Sequence, residues 1–239
     1  NTPTLTLKAG LVAVGSADNT DFVFSIPEPI TTTVKDGVAV FGTPEEPINI
    51  YQGTYLTKAF EFDKSLDQRF IITNSKMDYS TLTVRIADQN ERGNGIKWSR
   101  ANNIVRVDAI SEIYYLAEVD NEYYEIIFGD GVFGQALQPG QKINTSYIIT
   151  DGKAGNGPRD FSWTGTLMSS TGATVTPDNA IDLVTIEAAR NGADIESVQS
   201  IKYYSPKQYS AQYRAVTARD YESIIKEVYP NTESVSVVG

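Results

Sequence analysis

The chain has 239 residues, 41% hydrophobic and 21% charged, and its 20 basic and 30 acidic residues leave a net charge of −10. That is the composition of a soluble folded protein with one large or two modest cores, and its acidic balance excludes a phosphate-backbone binder, which needs a basic face. Cys and His are absent, so disulfides, thiolate metal sites, histidine general bases and Ser–His triads are excluded, and with them most zinc chemistry.

The chain opens without a basic region or an apolar core, so Asn1 to Thr4 is no signal peptide, and no apolar run approaches bilayer length. The missing initiator Met and an end inside strand-like residues predict a fragment of a longer protein. Leu5 to Val14 reads as strand, broken at Gly15 to Asn19, with Phe22 to Ile26 returning until Pro27 and Pro29. Lys35-Asp36-Gly37 between short β-branched runs signals a hairpin. The Pro-rich stretch Gly42 to Pro47 marks a domain boundary.

Ile48 to Phe62 continues as strand, with Gly53 as a bulge or kink. Phe70 to Thr73 is a short apolar run, and Asn74 to Asp78 a turn. Leu82, Val84 and Ile86 alternate with Thr81, Thr83 and Arg85, as in a half-buried antiparallel strand. Glu91 to Gly95 reads as an exposed loop tip. Ile104 to Val107 and Ile113 to Val119 are strand-like. Asp120-Asn121 turns the latter into Tyr123 to Phe128, and Lys142 to Thr150 is another strand. Recurrent turn signals from Tyr51 to Trp163 predict a sandwich or partial barrel.

Gly165 to Pro177, rich in Ser, Thr and Gly, reads as a second joint. Asp178 to Arg190 suits a strand or a helix start, and is taken as a strand. Beyond Gly192 the pattern becomes helical. Asp194 is placed to cap a helix carrying Ile195, Val198 and Ile201, which Pro206 ends. A tyrosine-rich loop follows. Thr217 with Asp220 forms a capping box ahead of the stripe Tyr221, Ile224, Ile225 and Val228, and Tyr221 belongs to a core. Pro230 stops that helix, and Ser234 to Val238 reads as a final strand. The fold class expected is α+β, mostly antiparallel β, with a C-terminal helix–loop–helix–strand unit and a β-rich inserted domain.

Candidate chemistry is sparse. Phe128-Gly129-Asp130-Gly131 offers an oxygen ligand beside permissive glycines, but it lacks the spaced ligands of a calcium loop and is read as a tight β-turn. Gly152 to Pro158 lacks the order of a phosphate loop and reads as a connection. Glu45-Glu46 and Asp120 with Glu122 are acid pairs in a joint and a turn, better read as solvated faces than as a glycosidase dyad. No catalytic, cofactor-binding or metal-binding residue is assigned. Six of the 14 tyrosines fall between Tyr203 and Tyr229. Tyr203, Tyr204, Tyr209 and Tyr213, with Arg214, are candidates for a subunit contact surface; ordinary packing of a long loop is the equal alternative. Arg214 and Arg219 are placed to pair with Asp220 or Glu222, or with an acidic neighbour.

Three stretches resemble the baseplate J-like family, wedge subunits of contractile phage tails and related injection machines. They are Gly192 to Ser197 followed by Arg214 to Tyr221; Phe128 to Gly134 with Pro139 to Ile143, Tyr147 and Gly155-Asn156-Gly157; and Phe70 to Asn74 with Ser80 to Val84, which is similar to the T-even branch. The resemblance implies a structural subunit of the virion tail baseplate rather than an enzyme. Such a subunit would link wedges into a ring around the central hub and relay the baseplate's conformational change during infection. It would be a homodimer in contact with other wedge proteins, needing no cofactor, nucleic acid or membrane. The resemblance also implies a division into an N-terminal β part (1–47), a β-rich insertion (48–165) and a C-terminal α/β part (166–239). A carbohydrate- or host-receptor-binding module is the alternative, with Trp98 and Trp163 lining an exposed groove.

Overall fold

In the computed structural model, which describes residues 3–91, 93–102, 107–177, 181–211, 214–229, 232 and 235–237, the chain starts as a run of antiparallel hairpins. The first strands are β1 (Thr4–Leu7), β2 (Gly10–Ala17), β3 (Thr20–Ile26), β4 (Ile30–Lys35) and β5 (Val38–Ala39). Asp18 and Asn19, at φ 50° and 60°, turn β2 into β3. Asp36 and Gly37, at φ 50° and 78°, turn β4 into β5 at the hairpin expected from the sequence. Strand β6 (Tyr51–Gln52) pairs with β3.

Gly53 then carries the chain from one sheet to the next. Its φ is +134°, its N–H donates to Val23, and its carbonyl accepts from Ser25 Oγ at 2.9 Å. A Cβ here would lie 2.1 Å from the Ile149 carbonyl oxygen. Only glycine fits such an approach at that φ, which explains the kink expected in this run.

Seven strands follow: β7 (Thr54–Glu61), β8 (Phe70–Ile72), β9 (Met77–Ala87), β10 (Ile96–Arg100), β11 (Ile113–Val119), β12 (Tyr123–Phe128) and β13 (Lys142–Ile149). They form one sheet in the order β7-β13-β9-β10-β11-β12-β8, antiparallel except for β10 beside β11. The sheet curls until its edges meet. Lys58 Nζ on β7 donates to the Ile71 carbonyl on β8 at 2.8 Å, and the rings of Phe60 and Phe70 lie 5.6 Å apart edge to face. The result is a partial barrel, filled by Phe70, Ile72, Met77, Leu82, Val84, Ile86, Trp98, Tyr114, Ile126, Leu137, Ile143 and Tyr147. Strand β9 is covered on both faces rather than half-buried, since Thr81 and Thr83 are buried as well. On that second face Arg85 reaches Glu28 of the N-terminal strands at 3.3 Å, and Thr81 is consumed by a bulge. Its Oγ1 accepts from the Ile148 N–H at 2.9 Å and donates to the Asp78 carbonyl at 2.7 Å, satisfying a backbone donor that the bulge takes out of the ladder. The strand expected at Ile104 to Val107 lies almost wholly outside the described residues.

The chain then returns to the first strands. β14 (Phe161–Trp163) pairs with β2, and β15 (Leu167–Ser169) pairs with β1 and with β16 (Thr174–Val175). This completes two sheets, β16-β15-β1-β4-β5 and β14-β2-β3-β6, around one core of Leu7, Val12, Ala13, Phe22, Phe24, Ile26 and Leu167. Gly165 to Pro177 is therefore no open joint. Its alternating apolar residues close a sheet, and Gly172 at φ +84° makes the tip.

Several C-terminal expectations are corrected. Residues 181–190 form no strand; they run beside Gly157 and Pro158 on two isolated backbone bonds with Ala189. Helix α1 spans Val198–Ala211 and continues through Pro206, so Tyr203, Tyr204 and Tyr209 are helical rather than on a loop. Ser197, not Asp194, is its cap, accepting from the Ser200 N–H at 3.2 Å. Helix α2 (Ala218–Val228) begins on the expected capping box: Thr217 Oγ1 accepts from the Asp220 N–H, and the Asp220 carboxylate accepts from the Thr217 N–H at 2.8 Å. Its Tyr221 is half exposed, not core. Residues 235–237 are not in a strand, and Ser234 and Val238 lie outside the described residues.

Candidate assembly surface

Where the barrel's exit strand meets the C-terminal arm, the glycine-rich stretches of the sequence come together. The Asn156 side chain accepts from the Gly192 N–H at 2.8 Å and donates to the Gly192 carbonyl at 2.9 Å. Asp194 accepts from the Lys153 N–H at 3.3 Å, four residues ahead of the first residue of α1. A Cβ on Gly192 would meet the Gly152 carbonyl oxygen at 2.4 Å. Gly155-Asn156-Gly157 and Gly192-Ala193-Asp194 are thus two halves of one clasp. Both stand out in the sequence, but their contact is visible only in three dimensions.

Gln52 makes a second clasp beside it. Its amide oxygen accepts from Thr150 Oγ1 and the Asp151 N–H, each at 2.9 Å, and its amide nitrogen donates to the Asp151 carboxylate at 2.9 Å. One side chain therefore ties the strand entering the barrel to the strand leaving it. Sequence reading missed Gln52, because nothing local distinguishes it from any other polar strand residue.

Beyond the clasp the arm has no core. Among the described residues none after Leu167 is buried, although the arm carries Val184, Ile195, Val198, Ile201, Val216 and Val228 at its surface. Helices α1 and α2 pack on each other, yet no described residue of either helix belongs to the two cores. The candidate tyrosines sit here. Tyr209 is 85% exposed and Tyr203 59%, while Tyr204 is half-buried. The rings of Tyr203 and Tyr204 meet edge to face at 5.0 Å, and Lys207 Nζ stands 3.5 Å from the Tyr203 centroid. Arg214 is exposed at the arm's second bend; Tyr213 and the Arg219 side chain lie outside the described residues. The structure brings three of the five predicted residues onto one helix.

The other candidates are local. Asp130 accepts from the Val132 and Phe133 N–H groups at 2.9 Å each, and these bonds hold its carboxyl below the ordinary value of 3.8. Gly131 turns there at φ +89°. This is the tight turn expected of that motif. An open depression of about 430 Å³ is lined by Val14, Ser16, Asp21, Asp160, Phe161 and Ser162, with Ser16 donating to Asp21. Trp98 is 3% exposed inside the barrel, and Trp163 packs against the N-terminal core. The two indoles line no common groove, so the carbohydrate-binding alternative loses the feature that suggested it.

Residues 55–152, nearly the whole barrel, match the family model described as bacteriophage baseplate wedge protein gp6, third domain. A curated relative, the baseplate wedge protein gp6 of Enterobacteria phage T4, is 28% identical over 182 residues. That match covers 65% of this chain and 27% of the relative, so the chain spans about a quarter of the relative's length. In sequence, the chain is similar to phage baseplate wedge proteins, and the residues matched by the family model are those of the barrel.

Proposed function

We propose that the chain is a structural, non-enzymatic part of a phage tail baseplate wedge, made in the host cytoplasm and resident in the virion. It links wedges into a ring around the central hub and relays the baseplate's conformational change during infection. The observation that carries this reading is the C-terminal arm: two helices with exposed aliphatic and tyrosine side chains and, among the described residues, none that is buried. Short helices without buried side chains are marginal in water, and a surface that covers them adds stability. Its partners in this reading are a second copy of the chain, as a homodimer, and other wedge proteins; nucleic acid and membrane have no part. Tyr203, Tyr204, Tyr209, Tyr213 and Arg214 are the proposed contact residues.

The same reading divides the chain into parts 1–47, 48–165 and 166–239, the middle one inserted between the outer two. The pairing of β1 with β15, across the intervening barrel, supports that nesting.

Electron cryomicroscopy of purified tails, with the full-length protein tagged, is the direct test. Density is expected in the baseplate, and a tail without it there overturns the assignment. Sedimentation of the purified protein checks self-association separately. Tyr209→Lys, at a position already exposed, is expected to weaken the dimer by about tenfold or more. An unchanged mass distribution removes α1 from the contact.

A further inference from the structure

A second surface lies at the opposite kind of place: not on a helix, but where loops close one end of the barrel sheet. The loop before β11 and the loop after β12 are bonded together, with the Gly134 N–H donating to Asp108 at 3.0 Å and the Gln135 N–H to Ser111 at 2.9 Å. Each is also bonded internally. Asp108 accepts from the Ile110 N–H at 3.2 Å, and Asp130 holds Val132 and Phe133 as described. On this braced tip three large apolar side chains face solvent: Ile110 is 79% exposed, Val132 63% and Phe133 49%. Their exposure is built in by the turn geometry, and such patches on a folded domain mark contact sites.

Among the described residues that form the tip, the charges are acidic; Arg106, just before it, lies outside the described residues. Residues 107–141 contain seven acids, namely Asp108, Glu112, Glu118, Asp120, Glu122, Glu125 and Asp130, and no Lys or Arg. The stretch thus supplies most of the excess acid of a chain whose net charge is −10. Of these, Asp108, Glu112 and Asp130 are exposed at the apolar end, while Glu125 is neutralised by Arg69 at 2.8 Å. An apolar centre with an acidic rim is complementary to a segment that brings apolar anchors flanked by Lys or Arg. A second copy of the same acidic tip meets it with like charge.

We propose that Ile110, Val132 and Phe133 are the centre of a docking surface, rimmed by Asp108, Glu112 and Asp130, for a basic, apolar-anchored segment of a different polypeptide. The proposal rests on the assembly reading only in that the partner is met in the tail.

The test places a photoreactive benzoylphenylalanine at Phe133 in the full-length protein, in infected cells, and identifies the cross-linked peptide by mass spectrometry after purifying tails. The expected adduct is a peptide of another protein with a net excess of Lys and Arg and at least one large apolar residue. Glu112→Lys and Ile110→Asp, each checked for folding by the fluorescence of buried Trp98, are expected to cut the adduct yield at least tenfold. Tails that contain the protein but give no adduct, an adduct to a second copy, or an adduct to an acidic peptide overturn the proposal and leave the assembly reading standing. Tails that lack the protein overturn the assembly reading; the adduct formed in the same infected cells then decides the surface by the same criteria.

Discussion

At the scale of single residues, carboxylates act mainly as backbone acceptors. Asp130 is the clearest case. Its folded-state pKa is depressed, first by the Phe133 N–H and then by the Val132 N–H. Asp108, through the Ser111 side chain, and Asp220, through the Thr217 N–H, are lowered for the same kind of reason. A depressed pKa means that the group's contribution is complete above its unfolded value and is lost as pH falls through its folded value. Acidification below about pH 4 is therefore expected to loosen these turns before it reaches the apolar cores. Comparing the denaturant midpoints of wild type and Asp130→Ala at pH 6 and pH 3 checks this. The variant should be the less stable at pH 6, and the gap should narrow at pH 3. A gap unchanged with pH contradicts the role given to the ionised carboxylate.

At the scale of elements, the strands and helices differ in what holds them. Each barrel strand has ladder partners and inward side chains in a shared core. The helix α2 has a complete capping box and an apolar stripe, but its Tyr221 and Val228 are exposed. Local capping is then a large part of its stability. Thr217→Ala is expected to cost that helix about 1 kcal/mol, seen as reduced helical circular dichroism. The barrel's unfolding midpoint, followed by Trp98, should not move. A parallel loss of both signals would mean that the arm and the barrel unfold as one unit. Pro206 is instructive in the same way. Proline in a helix interior costs about 3 kcal/mol, which is why the sequence reads as a helix end. The helix nonetheless runs on to Ala211, with Ser197 capping its start and α2 packed beside it.

At the scale of the whole molecule, the question is what sets the barrel against the N-terminal sheets. Beside the bonds of Gly53 to Val23 and Ser25, the side chains of Glu28 and Gln52 reach across the boundary. Glu28 bridges Arg85 and Lys97, at 3.3 Å and 2.6 Å, with side chains a third to a half exposed. Partly exposed pairs of this kind contribute only about 0–1 kcal/mol. Gln52 instead satisfies a backbone N–H and a hydroxyl at a junction where Gly53 admits no side chain. These groups are partly open to water, so each such bond contributes about 0.5–1.5 kcal/mol net, but one side chain makes several of them. Gln52→Ala is therefore expected to destabilise the protein more than Glu28→Gln, and only the latter difference should shrink in 1 M salt. Thermal denaturation of both variants at low and high salt measures this; a larger effect of Glu28→Gln would make the ionic bridge the principal tether.

Much of this was legible in the chain itself, because the signals are local. Asp-Gly in a hairpin, the strand along Leu82 to Ile86 though not its burial on both faces, the kink at Gly53 and the Thr217–Asp220 box each depend on a few neighbouring residues whose backbone preferences act alone. The β-rich middle with recurring turns likewise announced a sandwich or partial barrel, and the absence of Cys and His excluded whole classes of chemistry outright. What tertiary structure alone decided was long-range. It paired β1 with β15 and β2 with β14, so that a stretch resembling a linker became the closing edge of a sheet. It also joined Asp194 to Lys153 and Asn156 to Gly192. Finally, it left the tyrosines and the tip at Phe133 uncovered. Burial, pairing across a hundred residues and the exposure of an apolar side chain are properties of the packed chain, and no window of sequence contains the partners that determine them.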